Sequence, residues 1–209
     1  DPTLWYYYRG PVEHLVLPPT AHGGDEARWA AAELVEEGVR WVVLVEQPAA
    51  NWDADGLAHA ALAEQYAPAS KTDAAGWTVT LYASPSQALQ PAETVFANGA
   101  VLSAYTVEPT RAAAAGTLVV HLQWDTAQMS GDLDALKVFV QLLDGQGRLA
   151  AQQDQPLEWK GVDAAAIASY GILLPEGLEP GEYTLIVGLY HPDEDGAPRV
   201  PLRADAQQD

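Results

Sequence analysis

Gly181-Glu182-Tyr183-Thr184-Leu185-Ile186-Val187-Gly188-Leu189-Tyr190, running into His191-Pro192-Asp193-Glu194-Asp195-Gly196, sets the reading of the second half of the chain. Tyr183, Leu185, Val187 and Leu189 alternate with Thr184, Ile186, Gly188 and Tyr190. A period of two marks a strand with one face buried. Pro180-Gly181 opens the run and an acidic Pro/Gly turn closes it, so both ends carry breakers.

Working outward, the same pattern recurs. Val101 to Glu108 and Thr117 to Trp124 read as strands, the latter with Leu118, Val120, Leu122 and Trp124 on one face. Leu136 to Leu143 aligns Leu136, Val138, Val140 and Leu142, and Asp144-Gly145-Gln146-Gly147 forms a hairpin turn into Arg148 to Gln153. With Ile167 to Leu174 and Arg199 to Arg203 the count is about seven strands, as in an antiparallel sandwich of immunoglobulin or fibronectin-III size. The chain has no cysteine, so the Cys-Trp-Cys pattern of a true immunoglobulin domain is missing.

The first half reads differently. Leu4 to Gly10 is aromatic and closes like the end of a short helix, and Val12 to Leu17 reads as a strand stopped by Pro18-Pro19. A helix follows with Ala27, Ala31, Leu34 and Val35 on one face, Asp25 as its N-cap and Gly38 as its stop. Arg40 to Glu46 is continuously apolar between its ends, as expected of a strand covered on both faces. Asp53 caps a second helix reaching Tyr66, with Ala58, Ala61 and Leu62 inward, and Trp77 to Ala83 alternates.

Strand, helix, strand, helix, strand implies a small sheet flanked by helices. The expected fold class is therefore α+β in two domains. A Rossmann-like, truncated α/β sheet covers 1–86, its first strand expected upstream of Asp1. A linker covers 87–92, and an immunoglobulin/fibronectin-III-like β-sandwich covers 93–209. The start at Asp1-Pro2 fits a piece of a longer protein.

Composition narrows the function. The net charge is -19 with ten Lys and Arg, the wrong sign for nucleic acid or an anionic membrane surface. Seven Trp and nine Tyr outnumber two Phe, favouring core edges, interfaces and ligand surfaces. The lack of cysteine removes thiolate metal sites and cysteine nucleophiles. No apolar run approaches the roughly 20 residues that span a bilayer.

Local motifs assign no catalytic residue, metal or cofactor. Ala21-His22-Gly23-Gly24 is followed by Asp25 and Glu26, which repel a phosphate, and it reads as a plain loop before a helix. Asp53-Ala54-Asp55-Gly56 and Asp193 to Gly196 lack the twelve-residue spacing of a calcium loop. The five His show no metal-triad spacing, and His121 alternates outward as a surface residue. No G-x-S-x-G elbow occurs. The candidate sites are carbohydrate contacts: Trp52 after a central strand, and Trp159 and Tyr170 flanking an irregular segment. A sugar ring lays its C–H face on such rings while acids and amides take its hydroxyls. The competing reading for all three is packing at a core edge.

Tyr6-Tyr7-Tyr8-Arg9-Gly10-Pro11 leading into Val16-Leu17-Pro18, and Arg40-Trp41-Val42-Val43-Leu44-Val45, resemble the soluble tail of bacterial membrane glycosyltransferases of the dolichyl-phosphate-mannose mannosyltransferase type. Val138-Phe139-Val140-Gln141-Leu142-Leu143-Asp144 with Gly147-Arg148-Leu149, and Pro180 to Tyr183 through Val187-Gly188-Leu189-Tyr190, are similar to the sandwich appended to such proteins in filamentous green bacteria and their relatives. The segment between Asp154 and Tyr170 is shorter than that pattern. The family's catalytic carboxylates sit in an early loop between membrane helices, which no segment here matches.

The resemblance therefore implies a non-catalytic accessory domain on the extracytoplasmic face of the cell membrane. Its partners would be the transmembrane part of its own parent chain and a glycan or lipid-linked sugar, without cofactor. The alternative is an independent carbohydrate-active or nucleotide-sugar-binding enzyme using the α/β half.

Overall fold

A computed structural model describes residues 10, 13–47, 52–84, 88–130, 135–157 and 165–203. The chain divides into two compact units, Asp1–Ser84 and Pro85–Asp209.

In the first unit, helix α1 (Gly24–Glu36) precedes strand β1 (Trp41–Glu46), helix α2 (Leu57–Gln65) and strands β2 (Ala67–Ala74) and β3 (Trp77–Ala83). Helix α1 starts two residues earlier than expected, with Gly23 rather than Asp25 at the cap and no side-chain cap. Asp25 lies inside the first turn, where its charge complements the helix dipole and pairs with Arg28 at 3.0 Å. The helix ends as its sequence implies. Gly38 takes φ +78°, its N–H donates to the Val35 carbonyl, and the Val39 N–H donates to that of Leu34. This double closure, the Schellman motif, needs a residue that tolerates the left-handed region.

The sheet order is β1-β3-β2, with both pairings antiparallel. β1 and β2 thus run the same way with β3 between them and never pair with each other. β2 escapes a sequence reading because Ala-Pro-Ala-Ser-Lys-Thr-Asp-Ala has little β-branched or aromatic character. Its hairpin turn is Ala75-Gly76, with φ 51° and 83°. Two successive positive φ values make the turn type that suits strand twist, usually signalled by Asn-Gly.

The helices cover one face of this sheet. Ala27, Ala31, Ala58, Ala61 and Leu62 bury against Leu44 and Tyr82. On the opposite face Val43 is 58% exposed and Trp41 38%, so β1 is not the doubly covered strand that its apolar run implies. Residues 13–17, expected as a strand, are not strand, and residues 1–9 lie outside the described residues.

The second unit holds β4 (Gln90–Val95), β5 (Val101–Glu108), β6 (Thr117–Asp125), β7 (Lys137–Leu143), β8 (Leu149–Pro156), β9 (Ala165–Leu173) and β10 (Thr184–Tyr190). They form one sheet ordered β4-β5-β6-β9 and another ordered β10-β7-β8. Strand β4 begins within the stretch expected as linker. Arg199 to Arg203, expected as a strand, contributes only the isolated bridges Tyr190 to Arg199 and Phe96 to Leu202.

Both sheets feed one core. β6 contributes Leu118, Val120, Leu122 and Trp124, and β7 contributes Val138, Val140 and Leu142. β9 adds Tyr170 and Ile172, and β10 adds Leu189. Register aligns these residues: Trp124 stands opposite Leu102, Val120 opposite Tyr170, Val187 opposite Val140, and Leu189 opposite Val138. The Tyr183 hydroxyl, at the entry to β10, donates to the Glu179 carbonyl at 2.6 Å and pins the preceding loop. At the β7–β8 turn, the backbone N–H of Arg148 foremost holds the Asp144 carboxyl below its ordinary range.

The expected fold class is thus corrected. Among the described residues strand accounts for 44% and helix for 13%, and every strand pairing is antiparallel. The chain as described is β-rich, and its first unit is an antiparallel sheet with two helices on one face, not a Rossmann-like α/β half joined to a sandwich. After α2 the chain enters a hairpin, and that hairpin supplies the central strand where a crossover design would place a parallel one.

Gly188 provides a test of the packing on the outer face of β10. A Cβ there would lie 2.4 Å from the Phe139 ring, which Arg199 covers at 4.4 Å from its centroid. Gly188→Ala is expected to lower unfolding free energy by about 1–3 kcal/mol, as overpacking does, and by less in a Phe139→Leu background. Denaturant midpoints of the four variants in that cycle check it; equal costs in both backgrounds would refute the clash.

Candidate functional site

The C-terminal end of β1 opens on a small cleft of about 50 Å³. Leu17, Leu44 and Trp52 give it apolar walls, and Glu46, Gln47 and Asp53 give it polar ones. The Trp52 indole N–H donates to the Pro18 carbonyl at 2.9 Å, which fixes the ring plane. Asp53 accepts from the Leu57 N–H at 2.7 Å with one oxygen and from the Ala58 N–H at 2.9 Å with the other. Gly56 is the formal cap residue, in the left-handed region, yet Asp53 satisfies the first N–H groups of α2 as a capping carboxylate does.

Beside the cleft stands a three-residue relay that no sequence motif announces. The Tyr82 hydroxyl of β3 bonds His59 Nδ1 of α2, and His59 Nε2 bonds Glu46 Oε2 at the end of β1. The arrangement has a topological cause. Register places Val42 opposite Tyr82 and Glu46 opposite Thr78, so Glu46 and Tyr82 share the helix-covered face. His59 follows the buried Ala58 on the helix lying against that face. Tyr82 is 2% exposed. Burial, and secondarily the Glu46 charge, push its hydroxyl up to about 12. A signal existed in strand parity: positions 42, 44 and 46 and positions 78, 80 and 82 point to the helices.

The other candidate residues fare differently. Trp159 lies outside the described residues. Tyr170 is 0% exposed within the core of the second unit, so it is no surface contact. His121 is also fully buried, not a surface residue, and its Nδ1 lies 2.8 Å from the Ser169 hydroxyl. Thr106, His121 and Ser169 stand opposite one another across three strands as a buried polar row. The face of β6 away from the core is therefore covered, which alternation alone does not reveal.

His22, in the loop before α1, faces Asp55 at 3.1 Å. That carboxylate adds to the repulsion of any phosphate at the loop. Among the described residues no group of three or more His, Cys, Asp or Glu is arranged to hold a metal. No helix among them is long and apolar enough to cross a membrane.

Two measurements probe this region. Asp53→Ala is expected to cost about 1–2 kcal/mol, as loss of a helix cap does, read from thermal or denaturant unfolding; a neutral effect would refute its capping role. Tyr82 bears on alkaline stability. Its hydroxyl titrates near the ordinary 10.0 when unfolded and about 12 when folded. The stabilisation from keeping it protonated is complete below pH 10 and is lost as pH rises from there towards about 12. Tyr66 and Tyr190 are shifted in the same direction, so Tyr82→Phe should flatten the alkaline decline without abolishing it; an unchanged slope would refute the assignment. No protein-family model matches this chain, and no curated protein matches it.

Proposed function

We propose that this chain is a non-catalytic accessory region of a membrane-embedded glycosyltransferase of the dolichyl-phosphate-mannose mannosyltransferase type. It stands on the extracytoplasmic face of the membrane and meets saccharide at the Trp52 cleft. The observation that carries the binding role is the tethered indole of Trp52 beside Glu46 and Gln47. An aromatic plane of fixed orientation next to hydrogen-bonding side chains is what a sugar ring needs on its apolar and polar sides.

The cleft is far smaller than the roughly 300–1,000 Å³ of a pocket that engulfs its ligand, so the ring lies across its mouth. The same geometry supports a non-catalytic role. Glycoside chemistry needs two carboxylates flanking one bond, and at this cleft both oxygens of Asp53 are engaged by helix N–H groups. The alternative of a nucleotide-sugar enzyme on the first unit depends on a parallel sheet with a crossover and a switch point; the sheet formed is antiparallel. The membrane-enzyme context rests on the sequence resemblance, and the net charge of -19 speaks against nucleic acid as a partner.

A neutral and amino-sugar oligosaccharide panel, followed by tryptophan fluorescence and calorimetry, tests the contact. Trp52→Ala is expected to weaken binding about five- to tenfold, the scale of losing one aromatic anchor. Absence of any response across the panel would overturn the saccharide role. For the context, the gene upstream of the Asp1 codon is expected to encode several hydrophobic spans; a secretion signal directly upstream would overturn it.

A further inference from the structure

Charge at the Trp52 cleft is of one sign. Glu46 and Asp53 line it, with no Lys or Arg among the lining residues. Asp53 is neutralised locally, since the positive end of α2 meets its carboxylate. Glu46 is not. Its Oε2 is held by His59, and its Oε1 has no protein hydrogen bond among the described residues.

His59 is itself held on its other nitrogen by the buried Tyr82 hydroxyl. The imidazole cannot turn away without breaking both contacts, so it holds the Glu46 carboxylate at the cleft. Tyr82, at 2% exposure, is out of reach of any ligand. The relay therefore presents one oriented carboxylate beside one oriented indole, on a chain whose net charge of -19 repels anions from its surface.

We propose that the Trp52 cleft selects a saccharide bearing a protonated amine, with Glu46 recognising the ammonium and His59 positioning Glu46; this rests on reading the cleft as a saccharide contact. The ammonium gains a charge-assisted hydrogen bond from the carboxylate, and a cation near the Trp52 face is attracted by the ring. An N-acetylated sugar keeps the ring contact and loses the charge. A uronate or sugar phosphate meets repulsion.

The test titrates the intact protein at mildly acidic pH, where the sugar amines are protonated, with short glucosamine oligomers, their fully N-acetylated counterparts and oligogalacturonate. Glucosamine oligomers are expected to bind about two- to fivefold tighter than the acetylated ones, the range for a partly exposed ion pair, with oligogalacturonate weakest. High salt should bring the amine-to-acetyl ratio towards one, as should Glu46→Gln. His59→Gln should lower the ratio by weakening the glucosamine oligomers more than the acetylated ones, a selective loss that a merely structural role would not produce. Equal or tighter binding of the acetylated oligomer, or a ratio insensitive to salt and to Glu46→Gln, would overturn the amine preference and leave the saccharide contact standing. Failure of every oligomer to bind would remove both.

Discussion

Strand register is the constraint on which the second unit depends. Two sheets share one core only if each strand keeps its alternation in step with its neighbours, because a slip of one residue turns its entire inward set to solvent. Leu122 and Trp124 on β6 and Val138, Val140 and Leu142 on β7 meet that demand together. Local devices secure it: the Asp144 carboxylate accepts the Gln146 and Arg148 N–H groups at the β7–β8 turn, and Tyr183 pins the loop into β10. Gly188 opposite Phe139 adds a steric condition, since only a missing Cβ leaves room for the ring beneath Arg199.

Legibility in the sequence followed the strength of the local signal. Tyr183, Leu185, Val187 and Leu189 alternate cleanly, and all four pack in or against the core. Helix α1 announces its end through Gly38 and its buried stripe through Ala27 and Ala31. β2 was illegible because its residues have weak strand preference and its turn puts Ala75 where asparagine or glycine is the usual signal. The error at β1 has a separate cause. A short apolar run is compatible with one covered face or two, and only what packs on each face decides; here the helices cover Leu44 and leave Val43 and Trp41 exposed. The strand beside β1 is the antiparallel β3, where a Rossmann-like sheet needs a parallel neighbour.

The candidate site was half visible. Trp52 follows a strand and precedes a helix, and that placement alone drew attention to it. Glu46, His59 and Tyr82 come from three elements separated by 13 and 23 positions (46 to 59, 59 to 82), and no short motif encodes such a meeting. Seeing it requires knowing that β1 and β3 pair with Val42 against Tyr82. His121 shows the opposite limit: alternation placed it correctly away from the core, yet that face is covered as well.

The two outer strands of the first sheet differ in how they are guarded. β2 carries Pro68, a register shift beside it, and the charges Lys71 and Asp73, all of which discourage another strand from adding on. β1 presents Trp-Val-Val-Leu-Val along an edge left unpaired among the described residues, with Val43 and Trp41 exposed. Such an edge is a template for intermolecular strand addition. Of this sheet's two edges, β1 is thus the less guarded among the described residues, and the acidity of the chain, through mutual repulsion between copies, opposes strand addition there.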